Sequence, residues 1–208
     1  LVGLAAWLLA CLPACLPACP PAWLRAYLLA RQLAWLLACQ PACLPACLLA
    51  WPAACLVAAT QEVLAADLRD VRRAEASQTS ETVIDRLRLD AGRVEAMAEG
   101  LRKLIHLPDP AGKIVESWTR PNGLQIQKFQ VPLGVVAIIY ENRPNVTSDA
   151  FGLCLKSGNV AFLRGSSAAI DSNIAIARAL REGIAKAGLP EDCLVLVTDT
   201  SHRTAIEF

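Results

Sequence analysis

Two short polar stretches in this 208-residue chain combine residue types that could do chemistry. The first is Glu141-Asn142-Arg143-Pro144, which directly follows the apolar, β-branched run 135–140. The second is Arg164-Gly165-Ser166-Ser167, which follows the apolar run 160–163. A guanidinium can pair with a phosphate through its fork, and serine hydroxyls can meet ribose or phosphate. An asparagine amide at a strand end can donate to a developing oxyanion; the alternative is a turn asparagine that satisfies its own backbone. There is no GxGxxG after the first strand and no GxxxxGK[ST] anywhere, so the usual glycine fingerprint for a nucleotide is missing. A nucleotide would have to be held by strand-end side chains and the small-residue loop.

Other reactive residues read as structural. Cys154 falls in an apolar helical run and Cys193 opens a strand, which suits packing thiols better than activated nucleophiles. His106 stands in the last turn of a helix, where its ring complements the dipole.

The elements that must position these groups follow from periodicity. The run 135–140 suits a strand covered on both faces. Thr147 or Ser148 could cap the following helix, and Gly158 stands where a C-cap glycine belongs. A second strand covers 160–163, Ser172 starts a long helix facing inward through Ile174, Ala177, Leu180 and Ile184, and LVLVT makes a third strand. Ser201 would begin a last helix. Strand, helix, strand, helix, strand implies right-handed crossovers and a parallel sheet. Upstream, Thr60 could cap a helix with Val63, Leu64, Leu68 and Val71 on one face. Ser80 caps a short helix, and Asp90 starts one with the stripe Val94, Met97, Leu101, Leu104 and Ile105, ended by Pro108 and Pro110. Two alternating runs around Pro121-Asn122-Gly123 predict a hairpin over 113–131, which is marginal alone and points to an interdomain or subunit contact; a simple surface hairpin is the alternative.

The first 57 residues differ in kind. Residues 1–58 hold seven of the nine Cys, four of the five Trp and only Arg25 and Arg31 as charges. WLLACLPACLPAC returns as WLLACQPACLPAC, with Leu-Pro-Ala-Cys recurring every four residues. Repeated CTGC translates to this peptide in every frame, so the segment 1–57 reads as repetitive DNA or a misplaced gene start, not native to the fold. The leading Leu fits an incomplete gene model. Three functional readings compete. An uncharged span of 1–24 could cross a bilayer, or 1–56 could tether the chain, but Pro13, Pro17, Pro20 and Pro21 each remove a helix hydrogen bond. Cys11, Cys15, Cys19, Cys39, Cys43 and Cys47 have a spacing that follows the repeat instead of a metal site. Seven Cys is an odd number for a disulfide scaffold. Residues 59–208 carry 18 basic and 19 acidic residues, which leaves no basic stripe for nucleic acid. Their two cysteines suit a reduced, cytoplasmic setting.

Four longer motifs stand out between 58 and 208: DRLRLDAGRVEAMAEGLR, RPNGLQIQKFQVPLGVVAIIYENRPNVTSDA, GLCLKSGN and GLPED. Through them this part of the chain resembles the gamma-glutamyl phosphate reductase family of the aldehyde dehydrogenase superfamily. It implies an α/β fold: a partial aldehyde-dehydrogenase-like, Rossmann-type parallel sheet with N-terminal helices and a β-hairpin, behind the low-complexity N-terminal segment. Residues 58–208 would be a partial NADPH-binding domain. The implied reaction is NADPH-dependent reduction of L-glutamyl 5-phosphate to L-glutamate 5-semialdehyde in proline biosynthesis, by a thiolate that attacks the acyl phosphate. The implied roles are Asn142 as oxyanion donor and Arg164, Ser166 and Ser167 as cofactor contacts, with no metal. The family's acidic residue after the serine is Ala168 here, and its nucleophilic Cys falls beyond Phe208. A homo-oligomer and coupling with glutamate 5-kinase are implied as well. The chain is expected to lack turnover alone and to bind NADPH weakly or not at all. The alternative is a catalytically dead nucleotide-binding module.

Overall fold

A computed structural model describes residues 44–201 together with 203 and 204. The spacing of the apolar residues translates into four helices, a hairpin, and a β-α-β-α-β unit. The helices are α1 (Leu44–Ala58), α2 (Thr60–Ala76), α3 (Glu81–Leu87) and α4 (Ala91–Ile105). The hairpin pairs β1 (Ile114–Thr119) with β2 (Gln125–Phe129), and the last unit runs β3 (Val135–Ile139), α5 (Asn145–Lys156), β4 (Val160–Arg164), α6 (Ile170–Lys186) and β5 (Leu194–Leu196).

β3, β4 and β5 form a parallel sheet in that spatial order. Two right-handed crossovers that step in one direction put α5 and α6 on the same face. Val136, Ile138, Ala161, Leu163, Leu194 and Leu196 therefore point into the main core with Phe151, Ile176, Leu180 and Ile184. The other face carries Val135, Val160 and Val195 as a small separate cluster. Here the structure corrects the sequence reading: β3 is not covered on both faces, and Ile139 is 57% exposed. A continuous apolar run cannot by itself say whether a second layer covers both faces of a strand.

The boundary of the packed unit also moves. The sequence reading ends the repeat segment at 57, yet α1 inserts between α4 and α6 and buries Leu48, Leu49, Ala53, Cys55 and Leu56. Leu and Ala form helix well, and a helix apolar all round suits an interior slot. A Cβ on Gly183 of α6 would lie 2.3 Å from Pro52 Cα, so these two helices touch backbone to backbone. The transmembrane, metal and disulfide readings of 1–24 and of the repeat cysteines up to Cys43 lie outside the described residues. Among the described residues, no single helix is long and apolar enough to cross a membrane.

Helix α2 is turned from its predicted face. Leu68 is 49% exposed, while Asp67 and Asp70 are buried with Val63, Ala66, Val71 and Ala74. Thr60 does not cap α2; its hydroxyl donates to Val57 O at 2.6 Å, tying α2 to α1. Ser80 takes the N-cap position of α3 without a side-chain cap bond. Asp90 caps α4 as expected, accepting from Arg93 N at 2.7 Å, and Val94, Met97 and Leu101 are buried. The hairpin turns at Gly123, whose φ of 84° is a left-handed conformation that glycine adopts without cost.

Candidate functional site

The parallel register pairs Ile139 with Arg164, so the turn after β3 and the loop after β4 lie side by side at the carboxyl end of the sheet. Tyr140 N donates to Arg164 O at 3.1 Å and locks them together. Ligands of open α/β sheets bind at this end. The turn closes through its own backbone: Arg143 N donates to Glu141 O at 2.8 Å and Val146 N to Arg143 O at 3.0 Å. Asn142 therefore has no backbone to serve, and its Oδ1 is buried with no partner.

Three buried side-chain polar atoms lack a partner among the described residues: Asn142 Oδ1, Arg164 Nε and Asn173 Nδ2. Asn142 follows the end of β3, Arg164 ends the neighbouring β4, and Asn173 lies against Gly165, the next residue. A Cβ on Gly165 would stand 2.2 Å from Asn173 Nδ2 and 3.2 Å from the Tyr140 ring, so only glycine lets β4 end so close to α6. Buried polar groups are nearly always paired, and these three unpaired ones all belong to elements that meet at the carboxyl end of the sheet.

Behind them runs a hydrogen-bond chain. Thr147 Oγ1 donates to Asn173 Oδ1 at 3.0 Å. Its single proton being used, it must accept from Tyr140 Oη, 2.7 Å away. Burial raises the Tyr140 phenol above its usual range, keeping it a donor. Thr147 is thus a tertiary link and not the predicted cap; α5 begins at Asn145, after Pro144, and Ser148 Oγ donates back to Asn145 O at 2.8 Å. Gly158 ends α5 at φ 76°, as predicted.

Of the predicted cofactor contacts, Arg164 donates through Nη2 to Thr200 O and Ser201 O, each at 3.1 Å, which orients its guanidinium. Ser166 Oγ accepts from Ala168 N at 3.2 Å and caps the short turn Ser167–Ala169, leaving its own proton to donate outward. Ser167 is exposed. Ala168 is partly buried beside Val83 and Ile84, where an acidic side chain would meet apolar surface. Next to Arg164, Asp199 accepts from Thr204 Oγ1 and Ser201 N, and these bonds hold its carboxyl below the usual range.

Ser172 does not start α6, which begins at Ile170. Its amide and hydroxyl instead donate to Asp70 Oδ2 at 2.8 and 2.7 Å, and Asp171 N donates to Asp70 Oδ1 at 3.3 Å. Asp70 from α2 thus occupies the positive end of α6. Asp67 accepts from Leu89 N at 2.8 Å, and its Oδ1 lies 3.4 Å from Ser172 Oγ, whose proton goes to Asp70. Burial raises both carboxyls. An anion that could otherwise sit on the α6 N-terminus finds it taken by a carboxylate. Sequence reasoning missed Tyr140, Thr147, Asn173, Asp67 and Asp70. The visible signal was Asp67 and Asp70, three apart on the apolar side of α2.

Neither Cys154 nor Cys193 is an activated nucleophile. Burial pushes the Cys154 thiol up to about 11 and the Cys193 thiol up to about 12, so both stay protonated near neutrality. Cys55 is buried, its Sγ 3.6 Å from Lys186 Nζ. His106 occupies the C-cap of α4. Among the described residues, no three His, Cys, Asp or Glu converge as metal ligands.

No protein-family model matches the chain. It is 54% identical over 141 residues to the gamma-glutamyl phosphate reductase of Thermoanaerobacter sp. strain X514, covering 68% of this chain and 34% of that enzyme. It therefore spans about a third of the length of the curated relatives it matches. The crystal structure of gamma-glutamyl phosphate reductase from Thermotoga maritima superposes with a TM-score of 0.83 at 34% identity, over 90% of this chain and 45% of that one. An acetylating aldehyde dehydrogenase from Geobacillus thermoglucosidasius shares the fold, with a TM-score of 0.61 at 14% identity over 87% of this chain and 36% of its own.

Proposed function

We propose, on the premise that this chain is homologous to a part of gamma-glutamyl phosphate reductase, that it supplies the cofactor-side wall of that active site. The reaction is reduction of L-glutamyl 5-phosphate to L-glutamate 5-semialdehyde with release of phosphate, in proline biosynthesis. The observation that carries this reading is the 54% identity over 141 residues. The unpartnered polar atoms at the strand ends support it by giving the site something to bind.

NADPH is the cofactor in this reading, and when bound it supplies the hydride. Arg164 meets its phosphate or ribose, and Ser166 and Ser167 donate hydroxyls from the same loop. Because Asp70 fills the α6 N-terminus, phosphate recognition falls on Arg164. Asn142 places its amide at the oxyanion of the reacting acyl group, in a site whose preorganised donors need no rearrangement. The thiolate that attacks the acyl phosphate is neither Cys154 nor Cys193, which burial holds protonated.

The hairpin belongs to an oligomer contact in this reading. Trp118, Ile114, Val115 and Phe129 stand 43–50% exposed on a two-stranded ribbon that cannot bury them alone. A cytoplasmic setting agrees with the free thiols of Cys55, Cys154 and Cys193. Coupling to glutamate 5-kinase would shield an acyl phosphate from water.

The test is a fluorescence titration of the purified chain with NADPH. Weak saturable binding is expected, and Arg164→Ala should weaken it about tenfold, the loss of one charge-assisted contact. Binding that is absent, or that ignores Arg164→Ala and Ser166→Ala, would overturn the cofactor assignment. The purified chain alone should show no phosphate-dependent NADP reduction with glutamate semialdehyde.

A further inference from the structure

A second pocket opens beside the Asn142 turn. Its volume is about 340 Å³, and its walls include Arg86, Leu89, Arg93, Met97, Asn145 and Asp149. Asn145 and Asp149 stand on the first two turns of α5, which begins three residues after Asn142. The facing wall comes from α3 and from the first turns of α4.

The pocket's charges are of both signs and do not pair with each other. Among the described residues, no ion pair forms at Arg86, Arg93 or Asp149, although other surface arginines such as Arg102 and Arg178 are paired. Arg93 is nonetheless held in place, donating through Nη1 to the carbonyls of Asp85 and Arg88. Asp149 receives only the Asn145 amide, at 3.3 Å. Burial raises its carboxyl, with no cation to offset the desolvation. A carboxylate and two guanidiniums set around one cavity, each without a counter-ion, fit a ligand that carries both signs.

We propose that this pocket binds the amino-acid head of the substrate, with Asp149 taking the α-ammonium and Arg86 and Arg93 the α-carboxylate. The inference rests on the reductase reading above. It places the side-chain acyl group toward Asn142, because the pocket wall and the Asn142 turn are one continuous stretch of chain. Holding an α-amino acid by its head would let the site tell a glutamyl group from a plain dicarboxylate.

The test uses the ¹⁵N-labelled full chain, titrated with three probes: L-glutamate, glutarate, which lacks the ammonium, and 4-aminobutyrate, which lacks the α-carboxylate. L-Glutamate should bind about tenfold more tightly than either, with shifts centred on residues 86–97 and 145–149. Asp149→Asn should bring L-glutamate down to the level of glutarate. Arg86→Gln, at an exposed position with no ion pair to lose, should bring it down to the level of 4-aminobutyrate. Equal affinity for the three probes, no saturable binding, shifts elsewhere, or indifference to both substitutions would each overturn the proposal. An NADPH titration of the same samples separates the two readings. Intact cofactor binding without glutamate preference sinks only the pocket, whereas glutamate preference without cofactor binding sinks only the Arg164 site.

Discussion

Gly183→Ala tests whether the end of the repeat segment is part of the folded unit, because the sign of its effect depends on α1. In an exposed helix the change is stabilising by about 1 kcal/mol, the helix propensity difference between Gly and Ala. Here the new Cβ would stand 2.3 Å from Pro52 Cα, 2.4 Å from Pro52 N and 2.8 Å from the Trp51 carbonyl carbon. These are backbone atoms, so no rotamer change relieves the contact, and α1 and α6 must separate by about 1 Å to restore van der Waals distance. Overpacking of this kind costs roughly 1–3 kcal/mol, and three backbone contacts under 3.0 Å place it in the upper part of that range, about 2–3 kcal/mol. Set against the propensity gain, the net is a loss of about 1–2 kcal/mol. With a urea m-value of about 2 kcal/mol/M, the unfolding midpoint should fall by about 0.5–1 M. An unchanged or higher midpoint would refute the packing of Leu44–Ala58 against α6, and would return the boundary of the folded unit to residue 58.

Two further outcomes follow from the polar interior. Gly165→Ala should drive Asn173 from its place and break the Thr147 bond, costing about 1–3 kcal/mol; a double-mutant cycle with Asn173→Ala, read by urea melts, should show coupling of about 1 kcal/mol or more. For Asp67→Asn the sign comes from linkage. Burial first, with the charge of Asp70 adding to it, puts the folded-state Asp67 above 3.8, so its contribution is fully present below that pH and is lost as pH rises through the folded value. The neutral amide escapes that loss while its Oδ1 still accepts from Leu89 N, so Asp67→Asn should raise the urea midpoint at pH 8 relative to its effect at pH 4. Equal effects at both pH values would sink the buried-charge account.

The β-α-β-α-β unit was legible because its strands are short β-branched runs and its helices end in glycines, signals that depend only on neighbours along the chain. Asn142 and Arg164 were legible as strand-end residues for the same reason. What was not legible was set by distant partners. Thr147 and Ser172 looked like caps because their hydroxyls suit that task, but each hydroxyl is claimed across the fold, by Tyr140 and Asn173 in one case and by Asp70 in the other. Leu68 looked buried because hydropathy ranks it above Asp70, yet Asp70 meets three donors on α6 that no apolar side chain could satisfy. The helix α1 was hidden by a repeat whose composition explains itself without a fold.

These misplaced caps and carboxylates bear on the site as well as on the fold. By neutralising the first amides of α6 from behind, Asp70 fixes the helix that carries Asn173, and Asn173 with Gly165 fixes where β4 ends. The carboxylate that anchors α6 thereby removes the helix N-terminus from the list of phosphate receptors. The missing glycine fingerprint after β3 and the occupied N-terminus of α6 are separate features of two helix starts that point the same way. In the proposed reading, recognition falls to the side chain at the strand end, where Arg164 is steadied by two carbonyls and Nε remains without a partner among the described residues.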